Sequence, residues 1–291
     1  MLMQFIFNGL CAGSLFAIMA LGFSIIYSVG KVFHFAHGAV YTSAVYLLFL
    51  FNVSLKINLL GSLLLALGFA VFMGIIMDYF FYQPLSARKS YSTAGILTSL
   101  GIYIFIINLI ALIFGNETKI LRPGIEKTFQ MGTVILTQIQ LFQILTFAVF
   151  LAITVLALKF TKYGHSIRAV SENEKLAKAL GFDIKKIRYI AFGYGSFLAG
   201  VAACLAGLDV GIDPHIGLTA VLTAAVAMIV GGIGIIPAAA FGGILIGLIQ
   251  NLAVWQISAR WQSAITFFIL LIILIFRPQG IIAGKKRMEE L

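Results

Sequence analysis

The sequence predicts an all-α fold: a polytopic transmembrane helix bundle of about eight or nine spans, with broken or re-entrant segments. Three observations lead there. The 291 residues are 61% hydrophobic and 10% charged, where soluble domains carry about 25% charged residues. The mean hydropathy is +1.07, and apolar runs of about 20 residues, the length that crosses a hydrocarbon core, recur along the chain. The apolar sequence is interrupted by one soluble stretch, SENEKLAKALGFDIKK from Ser171 to Lys186. A closed β-barrel would need short alternating segments instead.

In chain order the spans are expected at Gln4 to Val29, Phe33 to Phe51, Ile57 to Tyr82, Tyr91 to Phe114, Ile139 to Phe160, Tyr189 to Leu208, Gly217 to Ile236, Ala238 to Trp255 and Trp261 to Phe276. The second starts through the polar HFAHG. The loop Gly115 to Gln138 carries mixed charge around Pro123-Gly124, suiting either a solvated loop or a partner surface. The start MLMQF lacks a basic leader, so the first span reads as a retained helix.

Lys and Arg set the orientation. With the Ser171 stretch inside and alternating spans, 15 of the 20 basic residues fall inside; Lys56, Lys119, Arg122, Lys127 and Arg260 fall outside. The N-terminus is then outside and the C-terminus inside. The formal charge of +10 therefore points to anionic headgroups of a lipid bilayer rather than to nucleic acid. Cys11 and Cys204 lie in separate apolar segments without metal-site spacing.

The Ser171 stretch reads as a helix-turn-helix knuckle. Ser171 and Glu174 have capping-box spacing. Glu172 and Glu174 suit the positive end of a helix dipole, and Gly181 suits a left-handed C-terminal stop. Asp183 can cap the helix that follows. Leu176, Ala177 and Leu180 form a narrow apolar face. That face fits two readings: a helix resting on headgroups, or a docking point for another protein.

His34 and His37 share a helical face, but no Cys or carboxylate nearby completes a metal site, so no metal is expected. The segment HFAHG reads as a helix start bonded to its neighbours, or as a broken helix lining a polar path. Asp78 reads as an interfacial partner of Arg88 and Lys89. Gly9 and Gly13, Gly207 and Gly211, and Gly243 and Gly247 have the spacing of close helix crossings. The run Gly231-Gly232-Ile233-Gly234 to Pro237 should break a helix near the inner side. No G-x-x-x-x-G-K-[ST] phosphate loop and no catalytic elbow or zinc-helix motif is present. The chain itself is not expected to hydrolyse ATP or to carry a cofactor; ATP and Mg would belong to partner ATPases.

Several motifs converge on a family. NGLCAGSLFAIMALGFSIIYSV, FAHG at 35–38, Gln83-Pro84-Leu85, ENEKLAKALGFD, GGIGIIPAAAFGG and RPQGI at 277–281 follow in the order of the LivH group of ABC-transporter permeases, which the whole chain resembles. The resemblance implies one transmembrane permease domain over 1–291, with 161–188 as a cytoplasmic loop coupling to the ATPase, in a bacterial inner membrane. It implies branched-chain amino-acid import, with a LivM-like second permease, two cytoplasmic ATPases and a periplasmic or external solute-binding protein. Ser171, Glu172, Asn173, Glu174, Ala177, Leu180 and Gly181 become the coupling residues. Asn8, His34, His37, Gly38, Gly231, Gly232 and Gly234 become the translocation path. His34 stands where the family usually has Asn, and Gln83 where it usually has Arg. Related permeases handle urea or short amides, an alternative solute class. A self-sufficient channel or carrier is a further alternative.

Overall fold

The computed structural model describes residues 2–86, 91–121, 127–132 and 134–282. Helix α1 (Leu2–Gly30) is followed by α2 (His37–Phe49), which a π-helical turn Leu50–Ser54 extends. Then come α3 (Leu59–Met77), a second π-helical turn Asp78–Tyr82, α4 (Gln83–Ser86) and α5 (Tyr91–Phe114). A hairpin of β1 (Thr128–Met131) and β2 (Val134–Thr137) leads into α6 (Gln138–Phe160). Helices α7 (Lys162–Glu172) and α8 (Glu174–Ala179) form the knuckle, and α9 (Ile184–Val210), α10 (Ile216–Gly231), α11 (Ile236–Val254) and α12 (Gln262–Phe276) complete the chain.

Among the described residues, seven helical segments have the length and apolarity to cross a membrane. Two of the nine expected spans are short: α10 has 16 residues and α2 has 13 before its π-helical turn. These are the broken elements, and they cross where no side chain intervenes. A Cβ on Gly38 would lie 2.5 Å from the Gly217 carbonyl oxygen.

Helices α1 and α9 are mostly buried, whereas α6 and α12 expose large apolar side chains such as Leu145, Phe160, Phe268 and Phe276. Such an outward apolar belt fits lipid, which offers no hydrophobic drive to bury it. The centre is knit by small residues instead. Gly9 and Gly13 of α1 meet the Gly243–Gly247 face of α11, with the Cα of Leu248 and of Ile244 each 3.0 Å from where a Cβ would stand. Gly207 packs against Val45 and Ile212, while Gly211 ends α9 rather than sharing a crossing with it.

The bundle has a hairpin end and a knuckle end, and α1 runs between them. Gln4 exchanges two hydrogen bonds of 2.9 Å with the Ile135 backbone of the hairpin. Beyond the other end of α1, Lys31 Nζ donates to the Ser171 carbonyl at 2.8 Å. The N-terminus therefore lies opposite the knuckle, as the charge bias requires. The sequence gives little warning of the hairpin, whose two strands are four residues each. Pro123-Gly124, Arg88 and Lys89 lie outside the described residues.

The knuckle differs from its expected capping. Ser171 is inside α7, so the Ser171–Glu174 box does not form. Asn173 caps α8 instead, its Oδ1 accepting from Leu176 N–H at 3.0 Å. The preceding helix absorbs Ser171, leaving Asn173 the first residue with extended backbone. A capping box does occur at Thr137 and Gln140, at the start of α6.

Candidate functional site: a broken helix tied to a capped knuckle

Between α1 and α2 the chain is not helical over 31–36. Its buried backbone groups still need partners. The Phe35 N–H donates to the Phe33 carbonyl at 3.1 Å, and Ser99 of α5 bridges the same two groups: its Oγ accepts from Phe35 N–H at 2.8 Å and donates to the Phe33 carbonyl at 3.2 Å. His34 and His37 are fully enclosed, their rings 5.7 Å apart. His34 Nδ1 shares a 2.7 Å hydrogen bond with the Tyr82 hydroxyl. Among the described residues, His34 Nε2 lacks a hydrogen-bond partner, and no group of three metal-ligating side chains forms.

Tyr82 stands on the π-helical turn Asp78–Tyr82, which turns Asp78 and Tyr82 inward and leaves Tyr79, Phe80 and Phe81 outside. Single π-helical turns inside helices recur at functional sites. Asp78 pairs with Arg188 of α9, with Nη2 2.5 Å and Nε 3.1 Å from Oδ1. Gln83 donates to the other carboxylate oxygen at 2.8 Å. The carboxylate thus points into the bundle; Arg88 and Lys89, its expected partners, lie outside the described residues. Phe192, one turn beyond Arg188, lies 5.5 Å from the His34 ring, 5.6 Å from the Tyr82 ring and 5.6 Å from the guanidinium. His34 and Gln83 thus sit in one cluster, joined through Tyr82 and Asp78.

Helix α9 rises directly from the knuckle. Asp183 caps it, its Oδ1 accepting from Lys186 N–H at 3.1 Å. Helix α8 ends in a paired stop: Phe182 N–H donates to the Ala177 carbonyl and Gly181 N–H to that of Lys178, each at 3.1 Å. Gly181 has φ +87°, as this stop requires. Ala177 packs inward at 2% exposure, while Leu176 and Leu180 stand out at 56% and 69%. Glu172 and Glu174 are exposed beside them.

The sequence-derived path residues occupy three depths. Asn8 is near the hairpin, its Oδ1 accepting from Gln4 at 3.0 Å. His37 is beside Phe23, 15 residues or about 22 Å along α1 from Asn8. Gly231, Gly232 and Gly234 are at the knuckle end, where α10 gives way to α11. There Ile281 and Ile282 of the C-terminal segment bond the Val230 and Gly231 carbonyls at 2.9 Å. Sequence reasoning missed Arg188, Phe192 and Ser99. The readable signal for Arg188 was its phase: it falls on the same helical face as Ile187, Ala191, Phe192 and Gly195, all buried.

A family model described as "Branched-chain amino acid transport system / permease component" matches residues 5–274. The chain belongs to this family. It is 30% identical to the high-affinity branched-chain amino acid transport system permease protein LivH of Escherichia coli (strain K12), over 99% of this chain and 97% of that one. BraD, the corresponding permease protein of Pseudomonas aeruginosa, gives the same identity and coverage. A probable LivH of Methanocaldococcus jannaschii is 28% identical over 92% of this chain and 88% of its own. Among solved structures, the chain is similar to PsaBC from Streptococcus pneumoniae in complex with Fab, at 16% identity and a TM-score of 0.46, over 99% of this chain and 92% of that one. A branched-chain amino-acid permease of this kind is a multi-pass membrane subunit of an ABC transport system; it is not the ATPase and carries no cofactor of its own.

Proposed function

We propose that this chain is one membrane half of an ATP-driven importer whose solutes are branched-chain amino acids. Its partners in this reading are a LivM-like second permease, two cytoplasmic ATPases and an external solute-binding protein. The observation that carries the docking role is the knuckle. Leu176 and Leu180 project from a short helix that Asn173 and Gly181 cap at either end. Exposed apolar side chains on a rigid mount, beside Glu172 and Glu174, fit a groove on a partner ATPase. They fit a membrane surface less well, because anionic headgroups repel the two carboxylates.

The solute path in this reading runs along the broken elements, from Asn8 past the start of α2 at His34, His37 and Gly38 to the end of α10 at Gly231, Gly232 and Gly234. A zwitterion there is met by helix ends and amides, so no membrane-buried acid is needed for coupling. Asp78, already engaged by Arg188 and Gln83, is not a free coupling acid.

The test is a mild-detergent pull-down of wild type beside a Leu176→Glu, Leu180→Glu double variant. Both positions are exposed, so folding is preserved. ATPases that accompany the wild type and leave the variant support the docking role. Equal recovery with both sinks it. Leucine uptake by the reconstituted complex, with urea and acetamide as competitors, decides the solute class. Uptake by this chain alone without ATP would favour a channel or carrier.

A further inference from the structure

We infer that the Asp78–Arg188 pair, with Tyr82, Phe192 and His34, transmits knuckle motion to the broken segment 31–36; this rests on the docking role proposed above. The chain of contacts is continuous. The stop at Gly181 and the cap at Asp183 leave only Phe182 between them, so α8 and the first turn of α9 move together. Arg188 is on the second turn and is held by Asp78, and Gln83 fixes the other carboxylate oxygen. Through the π-helical turn, Asp78 is rigidly joined to Tyr82, which bonds His34 at 2.7 Å. Phe192 fills the space between the guanidinium and both rings. Lys31, at the start of the same segment, is tied to the Ser171 carbonyl at the end of α7. The segment between α1 and α2 is therefore gripped at its first residue, Lys31, and at its middle, His34, by groups that belong to, or are linked to, the knuckle.

Stability alone does not account for an ion pair here. Replacing a buried pair by apolar groups of similar volume is often neutral or stabilising. What charges add is a short-range, directional contact that holds one register. Hydrogen-bond and ion-pair networks of that kind are among the contacts that carry coupling between distant sites. Arg188, Asp78 and Tyr82 act as positioning residues and do not touch solute.

The experiment uses the assembled complex in proteoliposomes, with leucine as the probe and ATP hydrolysis measured in parallel. An Asp78→Val, Arg188→Met double variant removes both charges and changes the summed side-chain volume by less than about one methylene. Its expected behaviour is ATPase recovery equal to wild type, ATP hydrolysis retained, and uptake per ATP lower by about tenfold or more. Uptake per ATP within twofold of wild type overturns the inference, because a mere clamp between α3 and α9 survives apolar replacement. Loss of the ATPases from the variant also overturns it, since the pair would then serve docking itself. Tyr82→Phe is the second variant: it deletes one hydroxyl, keeps the ring, and should lower uptake per ATP by about threefold or more. Should the docking role fail in the pull-down, transmission is still read in the purified chain by amide exchange. Segment 31–38 should exchange at least about tenfold faster in the double variant than in wild type. Unchanged protection there overturns it.

Discussion

Gly13 of α1 and Gly247 of α11 touch backbone to backbone. A Cβ on Gly247 would collide with the Gly13 Cα and nitrogen, and the Gly9 carbonyl oxygen stands 2.7 Å from the same point. The contact involves main chain on both sides, so no rotamer change relieves an added methyl. Gly247→Ala should push the two helices apart and cost about 1–3 kcal/mol. Thermal unfolding in detergent should show a lowered Tm. Gly101→Ala, on the helix α5 where a Cβ meets nothing within 4 Å, is the control and should hold or raise the Tm, since Ala favours helix over Gly. Equal effects at the two positions would refute the close crossing.

That crossing is legible in the sequence because small residues four apart on two apolar helices have few other uses. Long spans are legible for a similar reason: α5 runs over Tyr91–Phe114, as composition alone places it. The failures have local causes. Strands of four residues in a mixed-charge loop carry too little periodicity to read. Ser171 and Asn173 are both competent caps, and only the length of α7 decides between them. Asp78 and Arg188 are 110 residues apart, so their pairing depends on how α3 packs against α9, which no spacing encodes.

The knuckle should lose rigidity at its caps and nowhere else. Asn173→Ala removes the acceptor for Leu176 N–H and should cost about 1 kcal/mol. Gly181→Ala forces a Cβ onto backbone at φ +87° and should cost about 1 kcal/mol as well. Ser171→Ala should be close to neutral at the knuckle, because the Ser171 group that is engaged is its carbonyl. Amide exchange over 174–182 reports each change. Faster exchange in Ser171→Ala than in Asn173→Ala would restore the capping box that the fold lacks.

Sidedness can be read with thiol reagents and no cysteine-free background. Cys11 and Cys204 are 3% and 2% exposed, and the thiolate must reach the reagent to react. The wild type should therefore label little. Leu180→Cys should label from the cytoplasmic side only, and Phe129→Cys, exposed on the hairpin, from the opposite side only. Both should be accessible in intact membranes with the appropriate reagent orientation. Labelling of the two from the same face would break the assignment of α1 as a full crossing.

Ser99 holds the non-helical segment by one hydroxyl doing two jobs. Its oxygen takes the Phe35 N–H and its proton goes to the Phe33 carbonyl. Ser99 is fully buried, so water cannot readily replace either bond. Ser99→Ala should then leave the Phe35 N–H and the Phe33 carbonyl only their direct 3.1 Å bond, at about 0.5–1.5 kcal/mol for each hydroxyl bond lost. Exchange of the Phe35 amide should accelerate while that of α1 stays unchanged, which separates a local opening from global unfolding. Ser99→Thr keeps the hydroxyl and should restore protection to the extent that its methyl fits. A Phe35 amide equally protected in Ser99→Ala would mean that the direct bond to the Phe33 carbonyl and the packed rings of Phe23, Tyr27 and Phe33 hold the segment, and not this hydroxyl.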